Sequence, residues 1–421
     1  MDRGAKGEDL TKWRIGFAAA IATICTAFIA DGALPAQADP HVSPGISVLL
    51  EDSLHLIRGK RVGLITNHTG RDEQGRSSID LIHRAPGARL TALFGPEHGI
   101  RGAAEGGERI VSTVDRATGV PIYSLYGESL APTAKMLEDV DVLIYDIQDV
   151  GARMYTYIWT MTLAAEAARK SGKKFIVLDR PNPIRADLVE GGFIEPRYRS
   201  FTGLHNVPLR YGLTPGEVAL YLVGTKQISA NVTVVPMKGY RRSMWWDDTR
   251  LSWVNPSPNI RRVDAALLYP GISFFEATNV SEGRGTESPF HFVGAAWLTD
   301  APAIARAMNL KNLPGVRFES TRQQIAPGEK YGGRTIPMVR IVITRRNDVR
   351  SAEIGAHLLR EIYIRHPRDF RWHEVGIERL SGSRALRNAV ERGGLTAVLS
   401  QWRRESAQFR ARTTPYFLYR Q

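Results

Sequence analysis

An α/β fold is predicted, with a parallel-sheet domain followed by a second, smaller α/β domain, and three observations carry the expectation. Short β-branched runs alternate with helical stretches, as in a parallel sheet covered by helices. Each run ends in a cluster of polar residues, as strands do at the rim of a ligand crevice. From about Ala295 the texture of the chain changes, which marks the start of the second unit.

Residues 1–38 take no part in that core. The basic residues Arg3, Lys6, Lys12 and Arg14 lead into an apolar run from Ile15 to Ala30, followed by Pro35-Ala36-Gln37-Ala38. This is the layout of a secretory signal peptide cleaved after Ala38. The apolar run falls short of the roughly 20 residues of a spanning helix, so no stable membrane insertion is expected after cleavage. Cys25, the one cysteine, lies inside this segment, which leaves the mature chain without disulfide or thiolate chemistry.

The first domain is read as residues 39–295. Arg61 to Thr66, Leu90 to Phe94, Val142 to Tyr145 and Phe175 to Leu178 are apolar and strand-length, the signature of buried central strands. Thr156 to Lys170 is alanine-rich and stops at Lys-Ser-Gly, which predicts a helix. The second domain, residues 296–421, reads as a helix around Pro302 to Met308, a strand at Met338 to Thr344, a helix at Ala352 to Ile364 and two further helical segments.

The rhythm is Rossmann-like, yet no G-x-G-x-x-G follows the first strand, which runs instead into Asn67-His68-Thr69-Gly70; no nucleotide cofactor is expected. H-E-x-x-H and G-x-S-x-G are absent, and His68, His83 and His98 are too irregularly spaced to suggest a metal site. The net charge of +13 is spread along the chain. Such a charge suits an anionic polymer, but nucleic acid lacks support because no helix-turn-helix, zinc-finger or RNP-type pattern is present.

Four polar clusters follow the strands: Asn67-His68, Gly95-Pro96-Glu97-His98-Gly99, Asp146-Ile147-Gln148-Asp149 and Asp179-Arg180-Pro181-Asn182. Loops held by a rigid scaffold are where binding groups concentrate. Glu97 stands out, a carboxylate in a turn fixed by glycine and proline, with His98 and Arg101 close by. It reads as a general acid or as a glutamate that satisfies backbone donors in the turn. In Asn279 to Glu287, one short loop holds Glu282, Arg284 and Glu287. If it folds over the strand ends, Glu282 or Glu287 supplies a second carboxyl, as glycosidic cleavage requires, and Arg284 a clamp for an anionic group; otherwise it is a surface loop. In the Asp146 to Tyr157 stretch, Arg153 and a helix N-terminus suit a carboxylate, and Tyr155 and Tyr157 a sugar ring; the alternative is a cap and two core tyrosines.

The strings GLITNHTG, LFGPEHGIRG, DIQDVGARMYTYIWTM, VLDRPNPI, YGLTPGEVALYL, NPSPNI and YPGISFFEATNVSEGRGTESPF occur in this order and cover nearly the whole mature chain. Together they resemble the bacterial NamZ (YbbC-like) family of exo-acting β-N-acetylmuramidases. That resemblance implies a Rossmann-like domain joined to a smaller one, a cleft, and release of N-acetylmuramic acid from the non-reducing ends of peptidoglycan fragments in the periplasm or outside the cell. It implies Glu97 as the leading catalytic carboxyl and proton donor, and Glu282 as the second, with Glu276, Glu287 and Glu190 as alternatives. Asn67, His68, His98, Arg101, Asp146, Gln148, Arg153, Tyr155, Asn279, Arg284 and Glu287 are the expected substrate contacts, with Arg153 and Arg284 facing the lactyl carboxylate.

Overall fold

The computed structural model describes residues 41–97, 99–100, 113–374 and 376–421. The expected signal peptide therefore lies outside the described residues, as do His98 and Arg101. No helix among the described residues is long and apolar enough to cross a membrane.

Seven strands build the larger sheet: β1 Arg61–Thr66, β2 Arg89–Gly95, β3 Thr113–Val114, β4 Pro121–Ser124, β5 Val142–Asp146, β6 Lys174–Leu178 and β7 Val232–Val235. Their order is β3-β4-β2-β1-β5-β6-β7, and every pairing is parallel except β3 with β4. Without the edge strand β3, this is the doubly wound order in which the chain reverses direction across the sheet between β1 and β5. The central strands are buried almost end to end because helices cover both faces, which is why they read as continuous apolar runs.

The helix Tyr157–Lys170 forms as its alanine-rich sequence predicts, and it stops where Gly172 takes a positive φ of 67°. A second helix, Pro215–Gly224, starts from a reciprocal cap. The Thr214 hydroxyl accepts from the Glu217 amide, and the Glu217 carboxylate accepts from the Thr214 amide.

A smaller antiparallel sheet follows, in the order β8-β10-β9: β8 Phe292–Gly294, β9 Val316–Gln324 and β10 Thr335–Ile343. One continuous apolar core runs from Phe94, Tyr145 and Val177 under the first sheet to Val339 and Ile341 in the second. Between the sheets, helix Val263–Ile272 crosses helix Ser351–Arg365 at very close range, since a Cβ on Gly355 would lie 2.2 Å from the Gly271 carbonyl oxygen. Only glycine at both positions permits that approach. The crossing fixes the turn Ser273–Ala277 that immediately follows the first of these helices.

Candidate active site

A cavity of about 700 Å³ opens beside the carboxyl ends of β2 and β4. Its wall is assembled from distant parts of the chain: Glu97 after β2, Tyr126 after β4, Met154 to Thr156 ahead of helix Tyr157–Lys170, Ser257 to Ile260, Tyr269, and the loop Pro327 to Glu329 between β9 and β10. Phe201, Thr202, Glu276, Arg284 and Phe290 also line it.

Glu97 accepts a hydrogen bond of 2.7 Å from the Thr156 hydroxyl, the residue that begins the helix. The Tyr126 hydroxyl lies against the same carboxylate, and its pKa is pushed up to about 12 by burial and by the charge of Glu97.

Across the cavity, the Arg284 guanidinium bridges two acids, with 2.7 Å to Glu276 and 3.0 Å to Glu282. Lys330 also donates to Glu282 at 2.9 Å and to the carbonyls of Phe275 and Val280. The two acids differ in what they face. Glu282 is only 4% exposed and both of its oxygens are taken by cations, whereas Glu276 keeps 29% of its side chain open on the cavity wall. Burial raises the Glu276 pKa, and the nearby Glu282 charge adds to that, while Arg284 opposes it. Burial works against the charge on Arg284, but Glu276 and Glu282 outweigh it and hold its pKa above the ordinary value.

Part of the remaining wall is aromatic, from Tyr155, Tyr269 and Phe290. Tyr155 meets Tyr157 edge to face at 4.7 Å and Tyr269 at 5.9 Å; Tyr269 meets Phe290 at 4.9 Å. The Arg284 guanidinium lies over the Phe290 ring at 5.3 Å. Edge-to-face packing holds each ring in a single orientation, so the row forms a firm apolar surface beside the acids.

Of the residues expected from the sequence, the structure brings Glu97, Tyr155 and Arg284 to this cavity. Glu282 sits behind Glu276 instead of on the wall, because Lys330 and Arg284 hold its carboxylate inside. Arg153 is buried away from the cavity, its guanidinium donating to the carbonyls of Gly192, Val207 and Leu380, so it does not reach the cavity wall. Asp146 is buried in a two-pronged ion pair with Arg180 at 2.6 and 2.9 Å. Asn67 turns its amide oxygen to Thr69, Gln148 donates to the carbonyls of Asp149 and Pro181, and His68 Nε2 lies 2.6 Å from the Asn255 carbonyl. These four residues therefore close the rim around β1 and β5 instead of lining the cavity. Asn279 ties down the segment Asp369 to Arg371, and Glu287 is exposed outside the cavity. Glu190, a further alternative, pairs with the buried Arg210 at 2.7 Å. Sequence reasoning missed Tyr126, Thr156, Tyr269, Lys330 and Glu329, and only Thr156, as a helix start, carried a local signal. Among the described residues, no three His, Cys, Asp or Glu side chains gather as they would around a metal ion.

A doubly wound α/β sheet with a cavity that carries carboxylates and aromatic rings on its wall defines an α/β protein with a pocket suited to a small polar ligand. The sequence matches the family described as exo-β-N-acetylmuramidase NamZ, its N-terminal part over residues 62–264 and its C-terminal part over residues 267–419. It is 41% identical over 383 residues to the peptidoglycan β-N-acetylmuramidase NamZ of Bacillus subtilis strain 168, covering 90% of this chain and 92% of that protein. Two crystal structures of DUF1343 family proteins from Bacteroides fragilis NCTC 9343 share the fold. One is 38% identical with a TM-score of 0.84, the other 28% identical with a TM-score of 0.71, and each match covers 90% of this chain and 99% of the other. This chain belongs to the NamZ family of exo-β-N-acetylmuramidases.

Proposed function

We propose that this protein removes a terminal N-acetylmuramic acid residue from peptidoglycan fragments, with Glu97 and Glu276 as its acid/base pair. The observation that carries the assignment is their placement on one cavity, one on the Rossmann-type sheet and the other on the turn after helix Val263–Ile272. Glycosidic cleavage needs one carboxyl that donates a proton to the leaving oxygen and one that is ionised opposite it. Burial favours protonated Glu276, which suits the donor. Glu97, held on the cavity wall by the Thr156 hydroxyl at 2.7 Å, is left as the base or nucleophile. The division of labour is thus the reverse of the one expected for Glu97 from the resemblance, and Glu276 takes the place expected for Glu282. Arg284 and Lys330 offset the charge of Glu282, so the catalytic acids rest on a neutralised floor.

The test uses a chromogenic β-N-acetylmuraminide with Glu97→Gln and Glu276→Gln, each checked for folding by thermal melting. Removing either proton-transfer group lowers kcat by roughly 10²–10⁴-fold. A folded variant of either kind with near-normal turnover removes that residue from the mechanism.

We also infer export, from the basic start, apolar run and small-residue site of residues 1–38. The protein then meets murein fragments in the periplasm or outside the cell. Mass measurement of the protein isolated from its native host is expected to give a chain beginning at Asp39; an intact Met1 start refutes this.

A further inference from the structure

Behind Glu276 lies a second lobe of about 720 Å³, bounded by Ala277, Trp372, His373 and Glu374, and it shares Thr202 and Glu276 with the first cavity. Glu97 borders only the first lobe, while Glu276 borders both. We propose that this second lobe is the leaving-group subsite, which takes the N-acetylated sugar that follows the terminal muramic acid. This rests on the acid/base reading given above and extends it.

The argument starts from the proton. When the bond between the anomeric carbon and the bridging oxygen breaks, the electron pair leaves with the oxygen, which takes a proton from the acid, and the anomeric carbon ends bonded to the oxygen of a water molecule that gives up a proton, either directly with Glu97 as base or after a transient bond to Glu97. The bridging oxygen belongs to the leaving sugar. The leaving sugar must therefore lie within reach of Glu276, whereas the ring flanked by both carboxyls must lie in the lobe that Glu97 also borders. A chain threaded from the first lobe past Glu276 into the second satisfies both conditions. His373 and Glu374 are exposed, so the second lobe leads out to solvent, and a longer saccharide can continue beyond it.

Trp372 gives this lobe an aromatic surface for the apolar C–H face of a pyranose. Its position is built, not incidental. Residues 371–373 pair with residues 277–279 through the Thr278–Trp372 bridge, the His373 amide donating to the Ala277 carbonyl at 2.8 Å, and the Asn279 amide donating to the Arg371 carbonyl at 3.0 Å. The Asn279 side chain adds two more bonds, to the Asp369 carbonyl and from the Arg371 amide. Asn279 is thereby a positioning residue for the tryptophan wall. The same short segment of chain carries Glu276, so proton donor and platform are held in one frame.

The experiment measures KM for the β-linked disaccharide of N-acetylmuramic acid and N-acetylglucosamine, alongside the inhibition constant of free N-acetylmuramic acid, which occupies the first lobe alone. Trp372→Ala is expected to raise the disaccharide KM about tenfold and to leave the inhibition constant within about twofold. Trp372→Phe, which keeps the aromatic surface, stays close to wild type. Trp372 Nε1 also donates to Glu391 at 2.9 Å, so a second variant guards against loss of fold. His373→Trp fills the lobe from its exposed side and is expected to raise the disaccharide KM in the same way. An unchanged disaccharide KM in folded variants, or an equal shift in the inhibition constant, overturns the subsite. Failure of the wild-type protein to cleave the disaccharide at all refutes the acid/base reading instead.

Discussion

Replacing Glu282 by Gln removes one charge from behind the catalytic wall and leaves the wall itself in place. Glu276 and Glu282 share the Arg284 guanidinium at 2.7 and 3.0 Å. Two carboxylates on one guanidinium lie roughly 5–6 Å apart, and at an effective dielectric of about 20 they repel by about 3 kcal/mol. Glu276 is 29% exposed, so solvent screening weakens that repulsion. The sign follows from the direction of the existing shift. Glu282 helps to raise the Glu276 pKa, and its loss also frees Arg284 to favour ionised Glu276, so both changes lower that pKa. A proton donor with a lower pKa is deprotonated sooner as pH rises, and the alkaline limb of kcat/KM moves to lower pH. The variant leaves Lys330 near a neutral amide, but its bonds to the Phe275 and Val280 carbonyls remain; the expected stability loss is about 2–3 kcal/mol. The assay is a pH profile of kcat/KM on an aryl β-N-acetylmuraminide, at a temperature where melting shows the variant folded. An alkaline limb that stays put refutes the coupling. A shift confined to the acid limb makes Glu276 the base and reverses the two roles.

Arg284→Ala is expected to reduce kcat about 10²-fold as well as raise KM, because Arg284 orients Glu276 in addition to facing the cavity; a pure KM effect on muramic substrates, with none on N-acetylglucosamine analogues, would make it a substrate clamp only. Burial pushes the Asp149 carboxyl up to about 7 despite donors from Tyr211 and Gly151. Its folded pKa lies above the unfolded 3.8, so the stability it confers is full at low pH and is lost as pH rises through about 7. Melting from pH 5 to 8 should show a decline to which Asp149 contributes about 1–3 kcal/mol, and Asp149→Asn should flatten the curve; an unaltered slope counts against it. Gly355→Ala places a methyl 2.2 Å from the Gly271 carbonyl oxygen, so about 3 kcal/mol of stability is expected to go, and kcat should fall in step because that crossing sets the turn bearing Glu276. A melting temperature equal to wild type would show that the helices separate freely there.

The parts of the fold legible in the sequence are those whose burial is uniform. The expected strand Arg61 to Thr66 coincides with β1, and β2, β5 and β6 lie within a residue of the runs that announced them, since both faces of these strands are covered. The strands that escaped notice lie at edges or bury one face. β9 reads VRFESTRQQ, in which polar side chains occupy most positions, and its pairing with β10 is fixed by a hairpin and not by local hydrophobicity. The site divides the same way. Glu97 was visible because glycine and proline frame it locally. Whether Glu276 or Glu282 faces the cavity depends on Lys330, which comes from a hairpin 48 residues beyond Glu282. No pattern within the loop itself encodes that choice. Arg153 misled for a related reason, because an arginine near a helix start suits an anion equally well as it suits three buried carbonyls.

The position of the cavity explains how a Rossmann-ordered sheet serves a reaction without a nucleotide-binding motif. In doubly wound sheets the ligand crevice lies where strand order reverses, here between the ends of β1 and β5. This chain fills that crevice with its own polar groups. Asp146 at the end of β5 is neutralised by Arg180, Thr66 donates to the Asp146 carbonyl at 2.7 Å, and Gln148 spans to Pro181. A buried ion pair costs desolvation that only good geometry and further hydrogen bonds offset, and the paired contacts here supply both. With the reversal point closed, the usable space shifts toward β2 and β4, where the turn after helix Val263–Ile272 lends Glu276, the loop ahead of β8 lends Arg284 and the β9–β10 hairpin lends Glu329 to a wall the first sheet begins with Glu97. The polar clusters after the four predicted strands thus have two separate duties. Those at β1, β5 and β6 seal the scaffold, and the one at β2 presents the chemistry. Two carboxyls on one cavity wall, held by two different parts of the fold, form the arrangement that lets their environments differ.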